Sequence, residues 1–223
     1  MIPMQQALIE KAGVSFNQEG MRSAREKTWE AVRRIAASIK SGMLEEDAYE
    51  LSRKILEEMG SSKNWHRPWV RFGSNTLKPY GVLSQRGTRL GETDIFFIDI
   101  GPVWNGFEGD AGATFVTGDD PDMRRCLADA RRIYDAVKDR WEMKRESGQA
   151  LYVFAQEETR RRGWELNLAG AGGHRLSDFP HALHYKGKLS GVDFAPSPYV
   201  WVLEIQIRHP ERPFGAFYED LLF

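Results

Sequence analysis

Acidic residues stand inside the most apolar runs of this chain. In IFFIDIG, residues 95–101, Asp99 is flanked by Ile95, Phe96, Phe97, Ile98 and Ile100. VWVLEIQI, residues 200–207, holds Glu204, and AFYEDLLF, residues 216–223, holds Glu219 and Asp220. An ionised carboxylate in an apolar strand needs a cation, a cage of hydrogen-bond donors or a proton. Three inward acids on three such strands repel each other at short range unless positive charge sits between them. Any fold for this chain must answer that repulsion.

The texture around these runs is mixed. Residues 19–40 predict an amphipathic helix, with Trp29, Val32, Ile35, Ala36 and Ile39 at helical spacing and Gly42 beyond it. A second helix is expected from Glu45 to Met59, stopped by Gly60. Pro121 to about Ser147 and Gln149 to Arg162 predict two more, with Gly148 between them and Gly163 after them. Short Val-, Ile-, Phe- and Trp-rich segments at 65–73, 95–101, 112–117, 198–208 and 216–222 predict strands. The order is two helices, strands, two helices, strands. It predicts two similar α+β halves in one domain spanning 1–223, without sequence repeat or linker, rather than strict βαβ alternation. The expected architecture is a curved, mostly antiparallel sheet with helices on its outer face and the acids on its inner face.

Two further ligand types lie near the acids. Asp110 stands eleven positions after Asp99, across IGPVWNGFEG, about the length of a hairpin. Paired so, both carboxylates share one face; alternatively, Asp110 caps a turn beside Gly109 and Asp99 is an edge residue. His174 lies in AGAGGHRLSDFPH, behind Gly170, Gly172 and Gly173, with His181 and His184 following. Alone it reads as a structural histidine. With several carboxylates it forms a mixed nitrogen and oxygen donor set that suits Mn, Fe, Co or Zn better than Ca or Mg. Four acids and one histidine match two ions better than one, and two ions about 3.5–4 Å apart would share a hydroxide nucleophile and polarise a carbonyl.

Other chemistries find no support. There is no GxSxG, no P-loop, no GxGxxG after a strand and no CxxC. Cys126, the single cysteine, reads as part of a charged helical face without a base to activate it. A formal net charge of -1 gives no field for nucleic acid or an anionic membrane. The Arg runs near 124–132 and at 160–162 read as solvated helix faces. No signal peptide, membrane span or disulfide framework is visible, so the cytoplasm is the expected location.

The order Asp99, Asp110, His174, Glu204, Glu219, in the contexts IDIGPVWNGFEGDAGATF, GGH, LEI and FYEDLL, resembles the pita-bread metallohydrolases. These are methionine aminopeptidase, aminopeptidase P, prolidase and creatinase. The resemblance runs from about Arg22 to Phe223 and leans towards the Xaa-Pro peptidase branch, as a catalytic domain without that branch's N-terminal domain. It implies a dinuclear metallopeptidase with two divalent ions, manganese first, and cobalt, iron or zinc as alternatives. Asp99 would bind one metal, Asp110 and Glu219 would bridge both, and His174 with Glu204 would bind the other. Glu204 would double as the acid/base, and His66 and His181 would contact substrate. The expected partner is a peptide or small molecule, and the resemblance leaves room for a homodimer.

The departures are local. Arg175 and Ser177 stand where the family commonly has small residues. Arg175 either clamps a substrate carboxylate or turns away into an ion pair. Ala182 and His184 replace a family Glu and a later Pro, implying changed substrate contacts. Two other readings stay open: a metal-dependent hydrolase of a non-peptide C–N bond in a small metabolite, and a peptide-binding pseudo-enzyme.

Overall fold

The computed structural model describes residues 4–181 and 185–223. The departures read at Ala182 and His184 lie outside the described residues. Helix α1, Met4–Ile9, is followed by α2, Gln18–Ser38, and α3, Glu45–Glu58. The Asn17 side chain caps α2 by accepting from the Gly20 N–H at 2.8 Å. Met21, Ala24, Thr28, Ala31, Val32 and Ile35 form the buried stripe of α2, the helical period read in the sequence. Helix α4, Pro121–Lys144, has Asp120 as its cap, and α5, Gly148–Arg161, has Ser147. Helix α4 ends three residues before the expected Ser147, because Arg145 adopts a left-handed conformation with φ 53°.

The strands are β1 Lys63–Phe72, β2 Asp94–Trp104, β3 Phe107–Glu108, β4 Ala111–Thr117, β5 Glu165–Leu166, β6 His174–Arg175, β7 Trp201–Arg208 and β8 Gly215–Leu221. They form one sheet in the order β1-β2-β4-β8-β7-β5, with β3 on β2 and β6 on β7. Every pairing is antiparallel. Helices α2 and α3 pack on β1, β2 and β4, and α4 and α5 pack on β8, β7 and β5. Two apolar cores follow from this division. Val32, Ile35, Phe96, Ile98 and Ile100 belong to one, and Ile133, Val137, Leu203, Ile205 and Ile207 to the other. The two α+β halves expected from the element order are therefore present. Among the described residues no helix is long and apolar enough to cross a membrane.

Strand parity sorts the side chains between the faces. In β2, Phe96, Ile98 and Ile100 face the helices, which sends Phe97 and Asp99 to the opposite face. In β7, Leu203, Ile205 and Ile207 face the helices and Glu204 faces away. In β8, Tyr218 and Asp220 take the helix side and Phe217 and Glu219 the other. Asp220 is therefore not one of the inward acids. Its carboxylate pairs with Arg25 of α2, Nε to Oδ1 at 2.7 Å, and so ties β8 to that helix.

Cross-strand register places the inner acids in one row. Asp99 pairs with Gly112, Gly112 with Glu219, and Glu219 with Glu204. Trp69 of β1 extends the row beyond Asp99. Gly112 is the gap over which Asp99 and Glu219 approach each other, since strands two apart are separated by about 10 Å. A methyl group there would come 2.6 Å from Glu219 Oε1, 2.6 Å from Phe217 and 3.0 Å from the Ile98 carbonyl. Gly112→Ala is therefore expected to destabilise the metal-free protein by about 1–3 kcal/mol through overpacking. Urea denaturation followed by circular dichroism measures this, and an unchanged midpoint would contradict the close approach.

Candidate metal centre

Five side chains converge on the inner face. Asp99, Glu204 and Glu219 arrive from the central strands. Asp110 sits between β3 and β4, both of which pair with β2, and is 1% exposed. It is therefore neither the turn cap nor, with Asp99, the edge residue that the sequence allowed. His174 enters from β6, paired to β7 through Val202. The ligand atoms of Asp110, His174 and Glu219 lie within 4.8 Å of one another, as do those of His66, Asp99 and Asp110. The two groups share Asp110.

The histidine hydrogen bonds decide what the cluster lacks. His174 Nδ1 lies 2.7 Å from the Arg175 carbonyl, and His66 Nδ1 lies 2.7 Å from the Arg67 carbonyl. A carbonyl only accepts, so both Nδ1 atoms carry the proton and a neutral ring presents Nε2 as a lone pair. His174 Nε2 is 2.8 Å from Asp110 Oδ2, yet that oxygen is buried without a well-directed hydrogen bond. His66 Nε2 is 3.3 Å from Asp99 Oδ1 and 3.4 Å from Asp110 Oδ1. Glu219 Oε1 is also buried without a partner. Acceptors facing acceptors at these distances are stable only with a cation between them, or with protons added to the rings or acids. The donor set and its orphaned oxygens fit divalent metal.

Without metal, protons fill the role. Burial, together with the charges of Asp110 and Glu204, pushes the Asp99 carboxyl up to about 7 despite His66. Burial and the neighbouring acids raise Glu219 well above the usual carboxylate range. Burial opposes charge on His174, but Asp110 and Glu204 outweigh it and raise the ring to about 10. His66 moves upward for the same reason, with Asp99 and Asp110 outweighing burial. Burial works against ionised Asp110, but the two imidazoles beside it hold its pKa low.

Glu204 is held differently. Its Oε2 accepts from the Gly172 and Gly173 N–H groups at 2.7 and 2.6 Å. Tyr152 of α5 brackets its backbone, donating to its carbonyl at 3.0 Å and accepting from its N–H at 3.3 Å. Only Oε1 is left towards the cluster, 3.8 Å from His174 Nε2. Glu204 stands outside both tight ligand groups.

The remaining expected residues divide. His181 stacks on His174 with ring centroids 5.9 Å apart and an interplanar angle of 24°. Trp65 meets His66, His174 and His181 edge-on at 4.4, 5.1 and 5.0 Å. Arg175 corrects its expected role as a substrate clamp. It is fully buried, and its guanidinium donates to the Val200 and Lys11 carbonyls at 2.6 and 3.0 Å. Neither the clamp nor the ion pair forms, because Arg175 follows His174 in β6 and strand parity sends it to the opposite side. Cys126 also differs: it lies in the buried core, and burial pushes its thiol up to about 12, which leaves it inert.

Sequence reasoning missed Trp65, Tyr152 and Glu108. Trp65 was visible only as a neighbour of His66. Nothing in the sequence linked Tyr152 to Glu204, fifty-two positions away. Glu108, inside the motif between the two aspartates, binds His181 across seventy-three positions.

A two-halved antiparallel sheet that buries a row of carboxylates and an imidazole on its inner face defines a pita-bread protein with a cluster able to hold metal. The family model of Metallopeptidase family M24 matches residues 19–222, and the chain belongs to that family. Similar solved structures include a prolidase from Pyrococcus furiosus, 19% identical, TM-score 0.75, covering 97% of this chain and 63% of that one. An X-Pro aminopeptidase from Thermotoga maritima is 19% identical, TM-score 0.72, covering 90% and 56%. A methionine aminopeptidase from the same organism is 15% identical, TM-score 0.72, covering 94% of each. At these identities the shared property is the fold. The chain spans less than two thirds of the prolidase and X-Pro aminopeptidase structures. A search of curated proteins finds no match.

The titrations carry a pH signature. A carboxyl raised to about 7 and an imidazole raised to about 10 both make the folded, metal-free state bind more protons than the unfolded chain. Their stabilising protons are present at low pH and lost as pH rises from about 4 to 7 for Asp99 and from about 6.5 to 10 for His174. The thermal midpoint of metal-free protein is expected to fall between pH 5 and 8. Added divalent metal should raise the midpoint most at the upper end, because binding displaces those protons. A metal-free midpoint that rises over this range would contradict the cluster's electrostatics.

Proposed function

We propose that this chain is a metal-dependent peptidase that removes an N-terminal residue, with Xaa-Pro bonds as its preferred target, and that it works with two divalent ions. The observation that carries this reading is the convergence of buried, mutually unsatisfied ligand atoms on one face. Two groups of ligand-capable atoms share Asp110, one with His174 and Glu219 and the other with Asp99 and His66. This supports two ions, with His66 taken as a substrate contact beside them rather than a ligand. Asp99, Asp110, His174, Glu204 and Glu219 would hold them; the mixed nitrogen and oxygen set suits Mn, Fe, Co or Zn, and the family resemblance puts manganese first. Such ions would supply polarisation of the scissile carbonyl and a lowered pKa for the attacking water.

The chain's own groups divide the remaining work. Glu204 has one oxygen pinned by Gly172 and Gly173, so Oε1 is the atom placed to take a proton from water and return it to the leaving nitrogen. His66 and His181 flank the cluster and contact the substrate, His181 on the side where negative charge develops on the carbonyl oxygen. Trp69, Phe97, Ala171 and Phe217 form an apolar wall beside Asp99, the surface this reading assigns to the proline side chain of the substrate. The small-metabolite reading drew on Arg175 as a carboxylate clamp. With that guanidinium directed at backbone carbonyls, the peptide reading is preferred.

Metal analysis of the purified protein, followed by hydrolysis of Xaa-Pro, Met-Xaa and N-substituted glycine substrates with added Mn, Co or Zn, tests the proposal. About two metals per chain with Xaa-Pro or N-terminal cleavage is the expected result. Two metals without peptide cleavage would shift the assignment to a small-metabolite hydrolase, and neither metal nor activity would leave a binding module. Chelation should abolish hydrolysis and manganese should restore it. His174→Ala is expected to lose metal and lower kcat/KM at least about 100-fold while the fold persists. Full activity in that variant with metal still bound would overturn the ligand assignment.

A further inference from the structure

Glu108 is a carboxylate in β3, 1% exposed and belonging to neither ligand group. Its Oε1 accepts the His181 backbone N–H at 2.9 Å. Its Oε2 accepts His181 Nδ1–H at 2.6 Å and the Ser177 N–H at 3.1 Å. Its own N–H donates to the Ser177 carbonyl at 3.0 Å. Among the described residues no Lys or Arg lies within ion-pair distance of it; its one titratable contact is His181. A buried carboxylate is costly unless donors surround it, and here three N–H groups do so, two of them from the residue it holds.

We infer that Glu108 is the positioning residue for His181: it fixes the ring's orientation, keeps the proton on Nδ1, and leaves Nε2 as the nitrogen that meets substrate. Three placements support this. Glu108 is anchored on a strand, paired with Val103 of β2, so the acceptor is rigid. The His181 ring packs against both the His174 ring and Trp65, which limits its rotation. Nε2 has no hydrogen-bond partner among the described residues. A carboxylate that holds the far nitrogen of a catalytic imidazole sets both tautomer and aim. The inference rests on the peptidase reading only in giving His181 a substrate to meet.

The test combines spectroscopy with a mutant cycle. In metal-free protein carrying 15N-labelled histidine, His181 is expected to appear with Nδ1 protonated. Glu108→Met, which removes every acceptor, should change that signature and lower kcat about 10–100-fold at little changed KM and unchanged metal content. Glu108→Gln, which keeps one acceptor oxygen, should recover part of the loss. In a His181→Ala background, neither Glu108 substitution should lower kcat further. An equal loss in both backgrounds, or an unchanged His181 signature in Glu108→Met, would overturn the inference and leave Glu108 a loop clamp. If Glu108→Met does not fold, the Glu108→Gln cycle decides by the same comparison. If the unmodified protein hydrolyses no peptide, the peptidase reading fails, while the His181 signature still decides the pairing.

Discussion

The structure depends on the repulsion among buried carboxylates that share one row of a sheet. Asp99 and Glu219 face each other over Gly112, Glu204 follows on the next strand, and Asp110 closes the group from the link between β3 and β4. In a site this dry, four negative charges are far from stable together. The protein meets the problem with protons on Asp99, Glu219 and His174, or with metal in their place. Both solutions use the same atoms, which is why folding stability, proton binding and metal binding are linked here.

The surroundings preserve the readiness of the cluster. Two apolar cores, each formed by a helix pair and its half of the sheet, hold the strands in register. Backbone donors and hydroxyls then set the individual acids. Gly172 and Gly173 pin one oxygen of Glu204, and Tyr152 brackets that residue's backbone from the helix layer. Carbonyls of Arg67 and Arg175 hold the two histidines by Nδ1, so that each turns Nε2 inward. The same device, with a carboxylate for the carbonyl, is repeated at Glu108 and His181.

Much of this was legible before any fold was known. A charged residue amid Ile, Phe and Val announces an unusual environment, and that alone marked Asp99, Glu204 and Glu219 as inward acids on three strands. Where reading failed, the cause was direction rather than identity. Asp220 adjoins Glu219 in the same apolar run, and its direction was not legible there; alternation sends it to Arg25 on the helix side. Arg175 adjoins His174 and is turned away by the same rule. Cys126 sits among charged residues in sequence but on the buried stripe of α4, because a helix separates neighbours by about 100°.

The sequence by itself determined the chemistry in reach: which acids and histidines occur in apolar or glycine-rich settings, the two-halved order of elements, and membership in a recognisable ligand pattern. These are local properties, readable from spacing and composition. Tertiary structure alone decided which of those groups meet. The alignment of Asp99, Gly112, Glu219 and Glu204 is a matter of strand register, and the pairing of Glu108 with His181 joins residues seventy-three positions apart. Such contacts arise from how strands pair and helices pack over the whole chain, and periodicity within one segment carries no information about the partner it finds in another.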